Sequence, residues 1–286
     1  MRASDPDDPK PRVDVRQMTI AGRHGDVPAR VYRSGGQDPK AALMWVHGGG
    51  FLAGDLDMPE AHWVGLQLAA RGISVLSVDY RKCVDGVHYP IPSDDILDTW
   101  LWVTERTVEE LGTNPGRLHI GGASAGGNLV AGVTKRLRDG AELLPASAVL
   151  VYPLLHHELP APGEGLRGTL AGRVDLLSPE IVRGINLNWS GSEAMFEDVY
   201  AFPANGDVSG QPPLYVLNSE VDTLRTSGEA YAALVAAAGG TVRVEFEPGT
   251  GHGHLNSPED PGAIRSIERI EGWIVSQDSS THLQIE

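Results

Sequence analysis

Residues Gly122-Ala123-Ser124-Ala125-Gly126 form a Gly-x-Ser-x-Gly pentapeptide, the pattern that carries a serine hydroxyl on a sharp strand-to-helix turn. Glycines suit it because the turn strains the serine backbone and leaves no room for neighbouring side chains. A serine hydroxyl is a poor nucleophile until an imidazole takes its proton, and the imidazole in turn needs a carboxylate to orient it. Asp222 and His252 stand in the order serine, acid, base that accompanies this motif, with Glu220 an alternative acid and His254 an alternative base. The remaining requirement is a set of N–H donors for a developing oxyanion. Ala125, at the start of a helix, offers one, and His47-Gly48-Gly49-Gly50 offers others, Gly49 and Gly50 before Gly48. That glycine run lacks the Gly-Lys-Ser/Thr ending of a phosphate loop.

Those groups converge only if strands deliver them to one edge of a sheet. Val13 to Ile20 and Val27 to Arg33 alternate apolar and polar residues around a turn-prone segment, which predicts an antiparallel pair. Short apolar runs follow at Ala41 to Val46, Ile73 to Val78, Arg117 to Ile120, Ser147 to Tyr152, Pro213 to Leu217 and Val242 to Phe246, apolar enough for strands covered on both faces. Helices are expected between or after them over Pro59 to Arg71, Ser93 to Leu111 with Ser93 as N-cap, Ala125 to Arg138, Leu224 to Ala238 and Pro258 to Val275. In the third helix Leu129, Val130, Val133 and Leu137 make one apolar stripe to lay on the sheet. The pattern is α/β, a mostly parallel sheet wrapped by helices.

Ser124 then sits between a strand and a helix, and Asp222 and His252 follow strands, where ligands bind in open α/β sheets. About 60 residues separate the strands ending near Tyr152 and starting at Pro213, too many for an ordinary connection. Residues 155–211 are therefore expected to form a cap, with a helix from Ser178 as N-cap to about Trp189. Trp189, Met195, Phe196, Tyr200 and Phe202 there either line a substrate pocket or pack the cap. His156-His157-Glu158 does not suggest a metal, because adjacent residues of an extended chain point to opposite sides.

The bulk properties narrow the function classes. A chain of 286 residues, 41% hydrophobic and 21% charged, can bury one large core, so residues 1–286 are expected to form a single domain behind a flexible leader of residues 1–12. With 38 acidic against 23 basic residues, the net charge of -15 disfavours nucleic acid and anionic membrane surfaces. Cys83 is the only cysteine, so no internal disulfide can form. Met1 to Pro11 lacks a signal-peptide pattern, and the longest apolar runs fall short of the roughly 20 residues of a membrane span. A cytoplasmic protein is expected, its oligomeric state open and a homodimer possible.

Together these residues resemble the hormone-sensitive-lipase-like family of α/β-hydrolases, a mostly bacterial group of carboxylesterases and lipases. The likeness runs from about Val13 through His47 to Phe51 with Gly54 and Asp55, Asp79-Tyr80-Arg81, Gly122 to Asn128, Tyr152-Pro153, Asp222-Thr223-Leu224-Arg225 and His252-Gly253. The chain departs from the family pattern at Ala123, where many members have Asp, at Thr226, and at His254, where Phe is frequent. The resemblance implies an α/β-hydrolase fold with an eight-stranded, mostly parallel sheet and a small cap insertion. It implies a triad of Ser124, Asp222 and His252 and an oxyanion hole of Gly49, Gly50 and Ala125. His47 would shape that loop, and Asp79 and Arg81 would form a structural pair. No cofactor or metal is implied. The expected substrate is a small carboxylic ester, with lactones or amides as alternatives for the same groups and a non-catalytic binding protein as the rival class.

Overall fold

A computed structural model describes residues 12–35, 38–171 and 177–281, so residues 1–11 of the expected leader lie outside the described residues. Strands β1 (Val13–Gly22) and β2 (Gly25–Ser34) form the expected hairpin, followed by β3 (Ala41–Val46), β4 (Ile73–Val78), β5 (Leu118–Ala123), β6 (Ala148–Val151), β7 (Leu214–Val221) and β8 (Val242–Gly251). They make one eight-stranded sheet in the order β1-β2-β4-β3-β5-β6-β7-β8. The β1/β2 and β2/β4 pairings are antiparallel and all others parallel.

Strand alternation sorts the core into two layers. Ala42, Met44 and Val46 of β3 pack on one face with helices α2 (Ile91–Leu111), α3 (Ala125–Asp139) and α6 (Arg225–Ala237). Ala41, Leu43 and Trp45 pack on the other with α1 (Pro59–Ala70) and α7 (Pro261–Thr281). Leu129, Val130, Val133 and Leu137 of α3 are all buried against the first layer, each contributing about 1.5–3 kcal/mol of apolar burial. Within residues 155–211 lie α4 (Glu164–Leu170), too short to show a helical period in sequence, and α5 (Pro179–Ser190). Ser178 caps α5, its hydroxyl accepting from the Ile181 N–H at 3.4 Å. No helix among the described residues is long and apolar enough to cross a membrane.

The structure corrects two local expectations. Helix α2 starts at Ile91, not after Ser93, because Pro92, which needs no N–H partner, belongs in the first turn. Ser93 is thereby buried, and its hydroxyl accepts from Arg136 at 2.9 Å. Asp79 and Arg81 do not pair with each other. Residues 79–82 lie beyond β4 without strand alternation, so Asp79 meets Lys82 at 2.6 Å while Arg81 turns to the buried carboxylate of Asp95 on α2.

Candidate active site

Strand register brings the chemistry together. Val46, the last residue of β3, pairs with Gly122 near the end of β5, so the His47–Gly50 loop and Ser124 leave the sheet side by side. On the far side Val221 of β7 pairs with Gly251 of β8 after a bulge, which makes Asp222 and His252 the next residue of each neighbouring strand.

Ser124 has φ 52° and ψ -118°, a left-handed conformation that costs about 1–3 kcal/mol and survives only where the surroundings over-determine it. Its N–H donates to the Val151 carbonyl at 2.8 Å, tying the turn to the end of β6. A side chain at position 126 would put Cβ 2.2 Å from the Val46 carbonyl oxygen, and one at 122 would put it 2.5 Å from the Gly126 oxygen. The two glycines therefore permit α3 to fold back tightly onto the strands, aiming the hydroxyl outward from the helix start.

Ser124 Oγ lies 3.0 Å from His252 Nε2, and His252 Nδ1 lies 2.7 Å from Asp222 Oδ2. Because a carboxylate can only accept, Nδ1 carries the proton of the neutral ring and Nε2 is left to accept from the serine hydroxyl. Burial disfavours the imidazolium, but the charge and hydrogen bond of Asp222, with a further contribution from Glu60, outweigh it and raise the His252 pKa above the ordinary value. Asp222 is buried, and its other oxygen accepts from the Leu224 N–H at 2.9 Å.

The alternatives sit elsewhere. Glu220 accepts from the Gly249 N–H at 2.7 Å, on the β8 side of the sheet. His254 is buried with both ring nitrogens engaged, Nδ1 with Ser219 Oγ at 2.9 Å and Nε2 with Ser266 Oγ at 2.7 Å. Its burial lowers the pKa to about 4.

The glycine loop is held from both ends of one residue. Gly48 N–H donates to Glu60 Oε2 at 2.5 Å, so it is committed and cannot serve a ligand. The Gly48 carbonyl accepts from the Tyr80 hydroxyl at 3.0 Å and is 2.8 Å from His47 Nδ1. In a planar trans peptide the carbonyl of one residue and the N–H of the next point in opposite directions. Fixing the Gly48 carbonyl inward to Tyr80 and His47 therefore turns the Gly49 N–H the other way. Among the described residues no protein acceptor is bonded to the N–H of Gly49, Gly50 or Ala125.

All three border a cavity of about 460 Å³ shared with Ser124, His252 and Glu60. Its apolar wall comes from Leu52, Met58, Leu154, Leu177, Ile185 and Leu224. The aromatic residues weighed as pocket lining do not border it. Trp189 is buried and stacks on Phe51 at 4.3 Å, Phe196 meets Phe202 edge-on at 5.6 Å, and Tyr200 bonds to Asp139 at 2.9 Å. His156 bonds to Ser227 Oγ at 2.8 Å, and His157 stacks on Phe196 at 5.2 Å.

Sequence reasoning missed Glu60, Ile185 and Asn256. Glu60 looks like an ordinary acidic residue in a helix first turn, and only the fold shows that it is buried beside the glycine loop. The available hint was its place 12 residues after Gly48 on the following helix.

Comparison with known proteins accords with this geometry. Residues 43–256 match a family described as alpha/beta hydrolase fold. The carboxylic ester hydrolase LipN of Mycobacterium tuberculosis is 33% identical over 87% of the chain, which spans 66% of that protein's length. The carboxylesterase NlhH of the same organism is 33% identical over 87% of the chain and 77% of its own length. An ethyl acetate hydrolase of Pseudomonas putida is 30% identical over 90% of the chain and 82% of its own. Among solved structures, an esterase of Pyrobaculum calidifontis superposes with a TM-score of 0.82 at 30% identity, covering 92% of this chain and 85% of that one. With an eight-stranded sheet, a strained serine at the turn after β5 and relatives that are ester hydrolases, the chain belongs to the hormone-sensitive-lipase-like carboxylesterases of the alpha/beta hydrolase fold.

Proposed function

We propose that this carboxylesterase hydrolyses small carboxylic esters through an acyl-enzyme on Ser124. The observation that carries the reading is the unbroken chain of hydrogen bonds from Ser124 Oγ to His252 at 3.0 Å and from His252 to the buried Asp222 at 2.7 Å, at the wall of a cavity. Ser124 attacks the ester carbonyl while His252 Nε2 takes its proton, and Asp222 holds the ring and stabilises the imidazolium. The carbonyl oxygen, now negative, is received by the N–H groups of Gly49, Gly50 and Ala125, reinforced by the positive end of α3. His252 returns the proton to the leaving alcohol, then activates water to release the acid. Residues 155–211 act as a cap in this reading, Ile185 of α5 standing over the glycine loop: a Cβ on Gly50 would be 3.8 Å from its Cδ1. A cavity of about 460 Å³ with aliphatic walls suits a small acyl or alcohol group.

Stopped-flow hydrolysis of p-nitrophenyl acetate is expected to release a burst of p-nitrophenol matched to the protein concentration, with a fluorophosphonate labelling Ser124 and both lost in Ser124→Ala. Turnover surviving in Ser124→Ala overturns the assignment. Rates across acyl chains from acetyl to dodecanoyl, with lactones and amides alongside, test the substrate class, and a preference for the longest chains or for a non-ester bond sinks that part of the reading.

A further inference from the structure

The site holds a second buried carboxylate that the proposed chemistry does not consume. Glu60 lies in the first turn of α1, is 1% exposed, and borders the cavity with Ser124 and His252. Among the described residues no cation pairs with it. Its partners are all neutral donors of the site. Oε2 accepts from the Gly48 N–H at 2.5 Å, while Oε1 accepts from the Tyr152 hydroxyl at 2.6 Å and from Asn256 Nδ2 at 3.3 Å. The Glu60 N–H in turn donates to Asn256 Oδ1 at 3.2 Å, and the Glu60 carbonyl accepts from Trp45 Nε1 at 2.8 Å. Both the backbone and the side chain of this residue are thus tied in place.

These contacts join the two halves of the site. Gly48 begins the loop whose next residues, Gly49 and Gly50, border the cavity, and a Cβ on Gly48 would lie 2.7 Å from Glu60 Oε2, so carboxylate and loop are in close contact. Tyr152, at the end of β6, meets the His252 ring edge-on at 5.0 Å, and Asn256 follows His252 on the same loop. One carboxylate therefore braces the glycine loop against the segment that carries the histidine. A buried carboxylate with several donors is also a fixed negative charge, effective over short range where water is excluded.

We propose that Glu60 is a positioning residue for the oxyanion loop, its carboxylate setting the direction of the Gly49 and Gly50 N–H groups through Gly48 and placing a second negative charge beside His252. This rests on the reading of Ser124 and His252 given above. The Glu60 charge acts on the imidazolium in the same sense as Asp222. The other groups facing His252 are the Ser124 hydroxyl, the Tyr152 ring and the nearby His254, which is neutral above a pKa of about 4.

The test uses Glu60→Ala and Glu60→Gln in the full chain, assayed on p-nitrophenyl acetate well below the melting temperature of each. A tetrahedral boronic acid serves as transition-state mimic, and a fluorophosphonate reports on Ser124. Glu60→Ala is expected to lower kcat about a hundredfold with KM within about threefold, and to weaken the boronic acid by a similar factor, as loss of oxyanion donation does. Glu60→Gln keeps an oxygen for the Gly48 N–H and an NH2 to donate to the Tyr152 oxygen while losing the acceptor for Asn256 Nδ2, so kcat is expected to recover to within about tenfold of wild type but not fully. With the charge gone, the acid limb of its kcat/KM profile moves to lower pH, which a merely structural role would not produce.

The proposal is overturned if kcat and boronic acid affinity in Glu60→Ala stay near wild type, or if the loss appears in KM alone. Should Glu60→Ala fail to fold, Glu60→Gln decides by itself: an acid limb that does not move overturns the proposal. Wild-type protein that neither turns over nor labels at Ser124 overturns the underlying site assignment instead, so the two failures are distinct.

Discussion

Replacing Asp222 by Asn separates the role of the acid from its shape, and the structure dictates how the new amide must face. Asp222 Oδ1 accepts from the buried Leu224 N–H at 2.9 Å, and Oδ2 accepts from His252 Nδ1 at 2.7 Å. An asparagine has one acceptor and one donor end. Keeping its oxygen on Leu224 points its NH2 at Nδ1, which forces the proton of the neutral ring onto Nε2. That tautomer donates to Ser124 where it should accept. Flipping the amide restores the tautomer but sets NH2 against the Leu224 N–H, two buried donors facing each other, at about 2 kcal/mol or roughly thirtyfold. Loss of the carboxylate charge opposite the imidazolium adds to this. The combined fall in kcat is expected near 10⁴-fold, or about 5 kcal/mol, as in serine proteases built on the same three groups.

Initial rates on p-nitrophenyl acetate measure the effect, with circular dichroism and melting temperature to show that the fold persists. The pH profile gives an independent check. His252 acts as a base only when neutral, and Asp222 raises its pKa above 6.5, so the acid limb of kcat/KM should lie above 6.5 in wild type and move down in Asp222→Asn. A variant retaining more than about a tenth of wild-type kcat would refute the tautomer argument.

Two further outcomes follow from the geometry. Gly49 has φ 107° and a Cβ there would lie 2.0 Å from the Ala53 carbonyl oxygen, so Gly49→Ala must displace the loop. A loss of about 10²–10³ in kcat is expected, and unchanged kcat would show that this loop does not receive the oxyanion. His254 is buried neutral with a pKa lowered from 6.5 to about 4, so the unfolded chain binds the extra proton between those values. Its contribution, on the order of 3 kcal/mol, is present above pH 6.5 and lost progressively as pH falls toward about 4. Urea unfolding from pH 7 to 4 should fall less steeply in His254→Gln than in wild type, and parallel slopes would contradict a neutral His254.

The sequence by itself determined the sheet, its mixed hairpin and parallel strands, and which residue types carry the chemistry. It could do so because strand alternation, runs apolar on both faces and the glycine spacing of a strand-to-helix turn are local constraints. Strands β3 and β4 are legible to the residue for that reason, whereas β7 and β8 run on past their apolar cores to Val221 and Gly251 through a bulge that leaves no mark on periodicity. Between near neighbours the residue pattern left Glu220 and His254 open and the family resemblance favoured Asp222 and His252, but the physical reason lies only in the tertiary structure. Asp222 rather than Glu220 faces His252, because Val221 pairs with Gly251 across the sheet. His254 bonds to two serines, Ser219 of β7, 35 residues away in the chain, and Ser266 of α7, 12 residues away, which meet only in the folded protein. Glu60 is the strongest case. Its identity in a helix first turn reads as surface charge, and its burial under Gly48, Tyr152 and Asn256 depends on three segments meeting, which no local pattern encodes.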